Sequence, residues 1–149
     1  MLLRNIVNRE ELKRRMDADV RPYSTISFYC YHPIEDPMAF RNDLFLRFSR
    51  LEVVGRIYIA LEGINAQLAL PVEHFEAFKS DLYTIDFLNG IRLNVAIEEK
   101  QKSFIKLDVK VREKIVADGI TDPTFSLQNR GKYLAAAEWN AKMDSPDSV

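Results

Sequence analysis

Val53-Val-Gly-Arg-Ile-Tyr-Ile-Ala-Leu-Glu-Gly-Ile-Asn-Ala-Gln-Leu-Ala-Leu70 decides the fold. From Val53 to Glu62, Ile57, Ile59 and Leu61 take alternate positions against Arg56, Tyr58 and Glu62, the period of a half-buried strand. Ala66, Leu68 and Leu70 continue an apolar face in a second run, and Glu62-Gly63 lies between the two where a tight turn needs a residue with positive φ. The stretch is therefore a hairpin with one apolar face.

Working outward, each strand of the hairpin has a helix and a further strand beside it. Upstream, Ile26, Phe28 and Cys30 alternate with Ser27, Tyr29 and Tyr31 as a strand. Asp36-Pro37 supplies an N-cap with proline at the first helical position, followed by Phe40, Leu44, Phe48 and Leu51 at helical spacing. Downstream, Pro71 leads into a helix carrying Phe75, Phe78, Leu82 and Ile85. Asn89-Gly90 then makes a turn into a strand of Ile91, Leu93, Val95 and Ile97 alternating with Arg92, Asn94 and Glu98. The order β-α-β-β-α-β, with one apolar face per strand, is met by an α+β ferredoxin-like or acylphosphatase-like plait: an antiparallel sheet with both helices on one face.

Outside this unit, Asn8 and Glu11 resemble a capping box and predict a helix over residues 8–18. Ile105, Leu107, Val109 and Val111 alternate with Lys106, Asp108, Lys110 and Arg112 and predict an extra strand with a basic outer face; a helix is expected near Ala135–Met143, and Asp144–Val149 has linker chemistry. The expected organisation is an N-terminal helical extension over 1–22, the plait over 23–100, and the extra strand, helix and linker over 101–149.

Composition bounds the function. With 149 residues, 47% of them hydrophobic, there is material for one core. The 21 basic and 22 acidic residues leave a net charge of −1, so any nucleic-acid contact must come from a local patch. One cysteine, no continuous apolar N-terminal run and no apolar run of membrane-helix length point to a cytoplasmic protein without a membrane partner. His32, His74 and Cys30 have no metal-ligand spacing, and the five glycines form neither a dinucleotide-binding nor a P-loop motif. Cys30 falls on the inward face of its strand, where a thiol acts as a small hydrophobe.

On the sheet face away from the helices, the plait places Tyr29, Tyr31, Arg56, Tyr58, Asn65, Gln67, Arg92 and Asn94. Either these tyrosines stack bases, as RNA-recognition plaits do, or the face is covered by residues 104–149 or another domain. Lys100–Lys114 holds six basic and two acidic residues, suited either to backbone phosphates or to a charged, solvated edge strand. Glu62 and Asn65 are either plain turn residues or ligand groups on a rigid hairpin.

Four stretches in order, Ser27-Phe-Tyr-Cys-Tyr-His32, Gly55–Gln67, Lys102-Ser-Phe104 with Lys110–Gly119, and Gly131-Lys-Tyr-Leu-Ala-Ala-Ala-Glu-Trp-Asn140, make the chain resemble the N-terminal region of the bacterial rhodanese-domain tRNA uridine hydroxylases. The likeness runs from about Asn8 to Val149. It implies an acylphosphatase-like domain followed by a rhodanese domain, in an enzyme that uses molecular oxygen to form 5-hydroxyuridine at the tRNA wobble position. The principal cysteine is then expected beyond Val149, leaving this portion inactive by itself, and Cys30 cannot take its place. Glu62, Asn65 and Arg56 become the candidates for a contribution to the active site. Lys106, Lys110 and Arg112, with Tyr29, Tyr31 and Tyr58, become the candidates for contact with the tRNA anticodon region. No residue pattern identifies a cofactor or reductant. The alternatives are a stand-alone RNA-binding module and an interaction domain packed on the rhodanese half. Acylphosphatases bind phosphate through an arginine-containing loop after the first strand; here that loop is His32-Pro-Ile-Glu-Asp-Pro37, acidic and without arginine, so the resemblance does not bring that activity.

Overall fold

Nine residues, Tyr23–Tyr31, form β1, the strand around which the sheet is assembled. The computed structural model describes residues 3–96, 102–116, 118–122, 124–126 and 131–146. A first helix, Arg9–Ala18 (α1), precedes β1 and begins where Asn8 Oδ1 accepts the Glu11 N–H at 2.8 Å. After β1, Asp36 Oδ1 accepts the N–H groups of Met38 and Ala39, and Pro37–Arg50 (α2) starts on that cap. Val54–Ala60 (β2) and Gly63–Pro71 (β3) are the predicted hairpin. A 3₁₀ turn over Val72–His74 leads into Phe75–Leu82 (α3), and a second over Asp86–Leu88 precedes Asn94–Val95 (β4). Leu107–Val111 is β5.

The sheet order is β4-β1-β3-β2-β5. Its first four strands are antiparallel neighbours in the order of the ferredoxin-like plait, and β5 adds to β2 in parallel. Ile26, Phe28, Ile57, Ile59, Ala66 and Leu68 pack from the sheet against Leu44 and Phe48 of α2 and Phe78 and Leu82 of α3. Phe48 and Phe78 meet with ring centroids 5.0 Å apart, joining the two helices. Each fully buried side chain of this size contributes about 1.5–3 kcal/mol over exposure, so this single layer of contacts is the main source of stability.

Three expectations need correction. The fourth strand is only Asn94–Val95, because the chain arrives from a 3₁₀ turn with Ile91 tied down: its N–H donates to Leu88 O and its carbonyl accepts the Tyr83 hydroxyl at 2.9 Å. Ile97 and Glu98 lie outside the described residues. Leu61, expected on the apolar face, is 66% exposed, since β2 ends at Ala60 and the turn swings it outward. Val53 is buried, but just before β2, where its N–H closes the C-terminal turn of α2 on Phe48 O.

The chain divides into two compact units, Met1–Asp118 and Gly119–Val149. The second contains the helix Ala136–Met143 (α4), whose Glu138 accepts the Ala135 N–H at 2.8 Å and whose Trp139 and Met143 stay exposed. Among the described residues no helix is long and apolar enough to cross a membrane.

Candidate nucleic-acid interface

The strand register turns the alternating polar residues into two ladders across the helix-free face. Tyr29 lies opposite Asn65, Asn65 opposite Tyr58, and Tyr58 opposite Lys110. One rung along, Ser27, Gln67, Arg56 and Asp108 stand in the same relation. With strands about 4.8 Å apart, each rung spans roughly 14 Å. Tyr29 remains 49% exposed and meets Tyr31 edge to face, with centroids 6.2 Å apart.

Cations lie over aromatic rings at both ends of this surface. The Arg112 guanidinium sits 5.5 Å from the Tyr58 centroid, and Arg56 sits 5.7 Å from that of Phe104. Lys110 Nζ pairs with Asp108 at 2.7 Å, whereas Lys106 makes no ion pair among the described residues. Beside Arg56, a cleft of about 440 Å³ is lined by Val7, Arg9, Leu12, Phe104 and Lys106 among others, so α1 and the 103–106 segment wall one end of the face.

The other end is covered by the chain after β5. Ile115, 4% exposed, is held from below at both backbone groups: Glu62 Oε1 accepts its N–H at 2.8 Å, and Asn65 Nδ2 donates to its carbonyl at 3.3 Å. Burial pushes the Tyr31 hydroxyl upward from its ordinary pKa, with the Glu62 and Asp118 charges adding to the shift. Of the expected site residues, the fold thus gathers Tyr29, Tyr58 and Lys110 in one rung with Tyr31 and Arg112 adjoining. Glu62 and Asn65 share Ile115, and Arg56 stands in the neighbouring rung at the Phe104 end. The face is both partly covered and partly open.

Sequence reasoning missed Arg41. It is buried on α2 with Leu44 and Phe48, at the i, i+3, i+7 spacing of the apolar stripe. A lone arginine in phase with core residues was the available signal.

Comparison with known proteins agrees with the fold. Residues 23–115 match the family described as UPF0176 acylphosphatase like domain. Over 149 residues, 99% of the chain, it is 52% identical to the tRNA uridine(34) hydroxylase of Pectobacterium carotovorum subsp. carotovorum (strain PC1). It is 50% identical to the proteins of that name from Erwinia tasmaniensis and Salmonella typhimurium. The chain spans 42–43% of the length of these relatives.

Proposed function

The chain belongs to the UPF0176 acylphosphatase-like domain family, and from that premise we propose that it is the N-terminal domain of an oxygen-dependent tRNA hydroxylase forming 5-hydroxyuridine at the wobble position. The observation that carries this reading is the 52% identity across nearly the whole chain to a tRNA uridine(34) hydroxylase. A likeness of that level runs along nearly the whole chain and does not rest on a single motif. The domain's part is to hold tRNA against a rhodanese domain that brings the principal cysteine, with molecular oxygen as co-substrate, in the cytoplasm where tRNA resides.

The helix-free face supports a positioning role. Tyr29 and Tyr58 offer rings for stacking in a rung that ends on Lys110, and Arg112 and Lys106 add charge along the same side. Stacking on such rings is worth about 1–3 kcal/mol per base and tolerates any base. A second reading, a structural contribution, is favoured at Glu62 and Asn65: both spend side-chain hydrogen bonds on Ile115, which makes them supports of the covered end.

The test is nucleoside mass spectrometry of tRNA from cells whose intact gene carries Tyr58→Ala with Lys110→Ala. A fall in 5-hydroxyuridine with normal protein levels supports the reading. Unchanged modification removes the positioning role, and modification that survives deletion of the gene removes the enzyme assignment altogether.

A further inference from the structure

Arg41 is the buried charged residue among the described residues, only 3% exposed. Its Nε donates to the Val109 carbonyl at 2.8 Å, and its Nη1 donates to Asn42 Oδ1 at 2.8 Å. The guanidinium lies over Phe45, 5.1 Å from the ring centroid. A guanidinium has five N–H donors. Those bonds use two of them, and Nη2 meets no acceptor among the described residues. Nη2 is not sealed in the core either: among those residues, Asp81 Oδ2 is the fully buried side-chain polar atom without a partner.

Inside the fold the guanidinium is offset by two acceptors and the Phe45 ring rather than by a counter-charge, which leaves Nη2, the part that is not sealed in, as the donor able to meet an anion. No carboxylate of the described residues lies within ion-pair distance of Arg41, and Asp108, whose charge reaches it, is already engaged by Lys110. Burial lowers the Arg41 pKa from its ordinary value, and the Asp108 charge opposes that shift.

Arg41 opens onto a groove of about 520 Å³ between the N-terminal segment and the free edge of β5. Arg4, Lys106 and Lys110 line it as well, against the single carboxylate of Asp108. The Lys106 carbonyl and Arg112 N–H are bonded to β2, so along this parallel pair the outward edge belongs to Leu107 and Val109. The volume falls in the range of small-ligand sites and is ample for a nucleotide. Edge capping of Val109 explains Nε; it leaves Nη2 and the surrounding cations unexplained.

We propose that this α2–β5 groove is a phosphate-binding site, in which Arg41 Nη2 donates to phosphate oxygens and Arg4, Lys106 and Lys110 supply the surrounding positive charge. Arginine's planar fork suits that ligand better than a point charge does. The site is distinct from the loop after β1, whose residues are acidic. If the phosphate belongs to an RNA backbone, the proposal rests on the tRNA reading above; if it is free, the site stands without that reading.

The test follows the Arg41 Nε–Hε and Val109 amide resonances in the ¹⁵N-labelled 149-residue chain. One arm adds inorganic phosphate and another an anticodon stem-loop, each against sodium chloride at matched ionic strength. Saturable shifts of both resonances are expected, weakened about tenfold or more by Lys106→Ala with Lys110→Ala, exposed positions that leave the core intact. Arg41→Lys, which keeps the charge and a donor for Val109, should weaken binding to a similar degree while the fold is retained. Shifts with the stem-loop assign the phosphate to RNA. Shifts with inorganic phosphate alone support the site and count against the tRNA reading. If neither ligand moves the Arg41 resonance, the proposal is overturned, and RNA binding that leaves Arg41 unmoved overturns it while sparing the tRNA reading.

Discussion

Glu62 and Ile115, separated by 53 residues, are joined by a 2.8 Å bond from the Ile115 N–H to Glu62 Oε1. The hairpin turn thereby fixes the chain that leaves β5, and Ile115 is buried on the sheet as a result. Glu62→Ala leaves that N–H without its acceptor and should cost about 1–2 kcal/mol. Glu62→Gln keeps an acceptor oxygen and should stay close to the parent. Amide exchange at Ile115, compared with thermal melts of both variants, decides it; unchanged protection in the alanine variant would show that the bond does not hold the segment.

Gly63 is where the hairpin cannot tolerate a side chain. Its φ is +150°, and a Cβ there would stand 2.1 Å from the carbonyl oxygen of Cys30 in the neighbouring strand. Backbone is in the way, so relief requires β1 and β3 to separate. Gly63→Ala should destabilise by roughly 2–4 kcal/mol through strain and the displaced ladder. A fall in Tm of about 8 °C or more is expected for a domain of this size, and a fall of less than about 2 °C would contradict the geometry.

The sheet was legible because period-2 alternation and two amphipathic helices reflect burial directly. Ile57 and Ile59 could only face the helices, which left Arg56 and Tyr58 for the other side. The partner of β5 was not legible. Leu107 and Val109 reveal that a face is buried but not which strand supplies it, and a parallel addition to β2 depends on contacts some fifty residues away. Ile115 was hidden for the same reason: it follows Arg112-Glu-Lys114, where the alternation of β5 has ended, and its burial depends on Glu62 and Asn65. Arg41 was obscured because its charge argues for solvent while its phase argues for the core. Only the packed structure shows that phase prevailed.

The Arg21 cluster should make stability sensitive to acid. Arg21 pairs with Asp19, Glu52 and Glu73 at 2.8–2.9 Å, and Asp19 also accepts the Tyr23 hydroxyl. Arg21 holds the Asp19 carboxyl well below its ordinary range and lowers that of Glu52. Burial, aided by Asp19, pushes the Tyr23 hydroxyl up to about 12. Carboxylates depressed in the folded state contribute stability above their unfolded pKa values of about 4, and that contribution is lost as pH falls through the folded values. Denaturant midpoints should therefore drop between about pH 5 and pH 2. In Asp19→Asn the drop should be visibly shallower and stability at pH 7 lower by about 1–2 kcal/mol. Parallel acid limbs in the two proteins would remove Asp19 from the account.

Asp108 makes the sign of an electrostatic effect predictable on the proposed RNA face. It binds Lys110 Nζ at 2.7 Å and occupies the rung next to the Tyr58–Lys110 pair, so it both neutralises a cation and adds a negative charge beside any phosphate. Lys110→Ala removes the cation and leaves Asp108 uncompensated. Affinity for an anticodon stem-loop should fall, and the slope of log K against log salt should shrink by about 0.7–0.9 if Lys110 contacts one phosphate. Asp108→Asn does the reverse: it frees Lys110 and should tighten binding severalfold. A stacking contribution separates from both, since Tyr58→Phe keeps the ring whereas Tyr58→Ala should cost about 1–3 kcal/mol with little change in salt slope. Fluorescence anisotropy across a salt series measures all four variants. Opposite signs for Lys110→Ala and Asp108→Asn are the signature of phosphate contact at this rung, and like signs would mean that the pair serves only to brace β5.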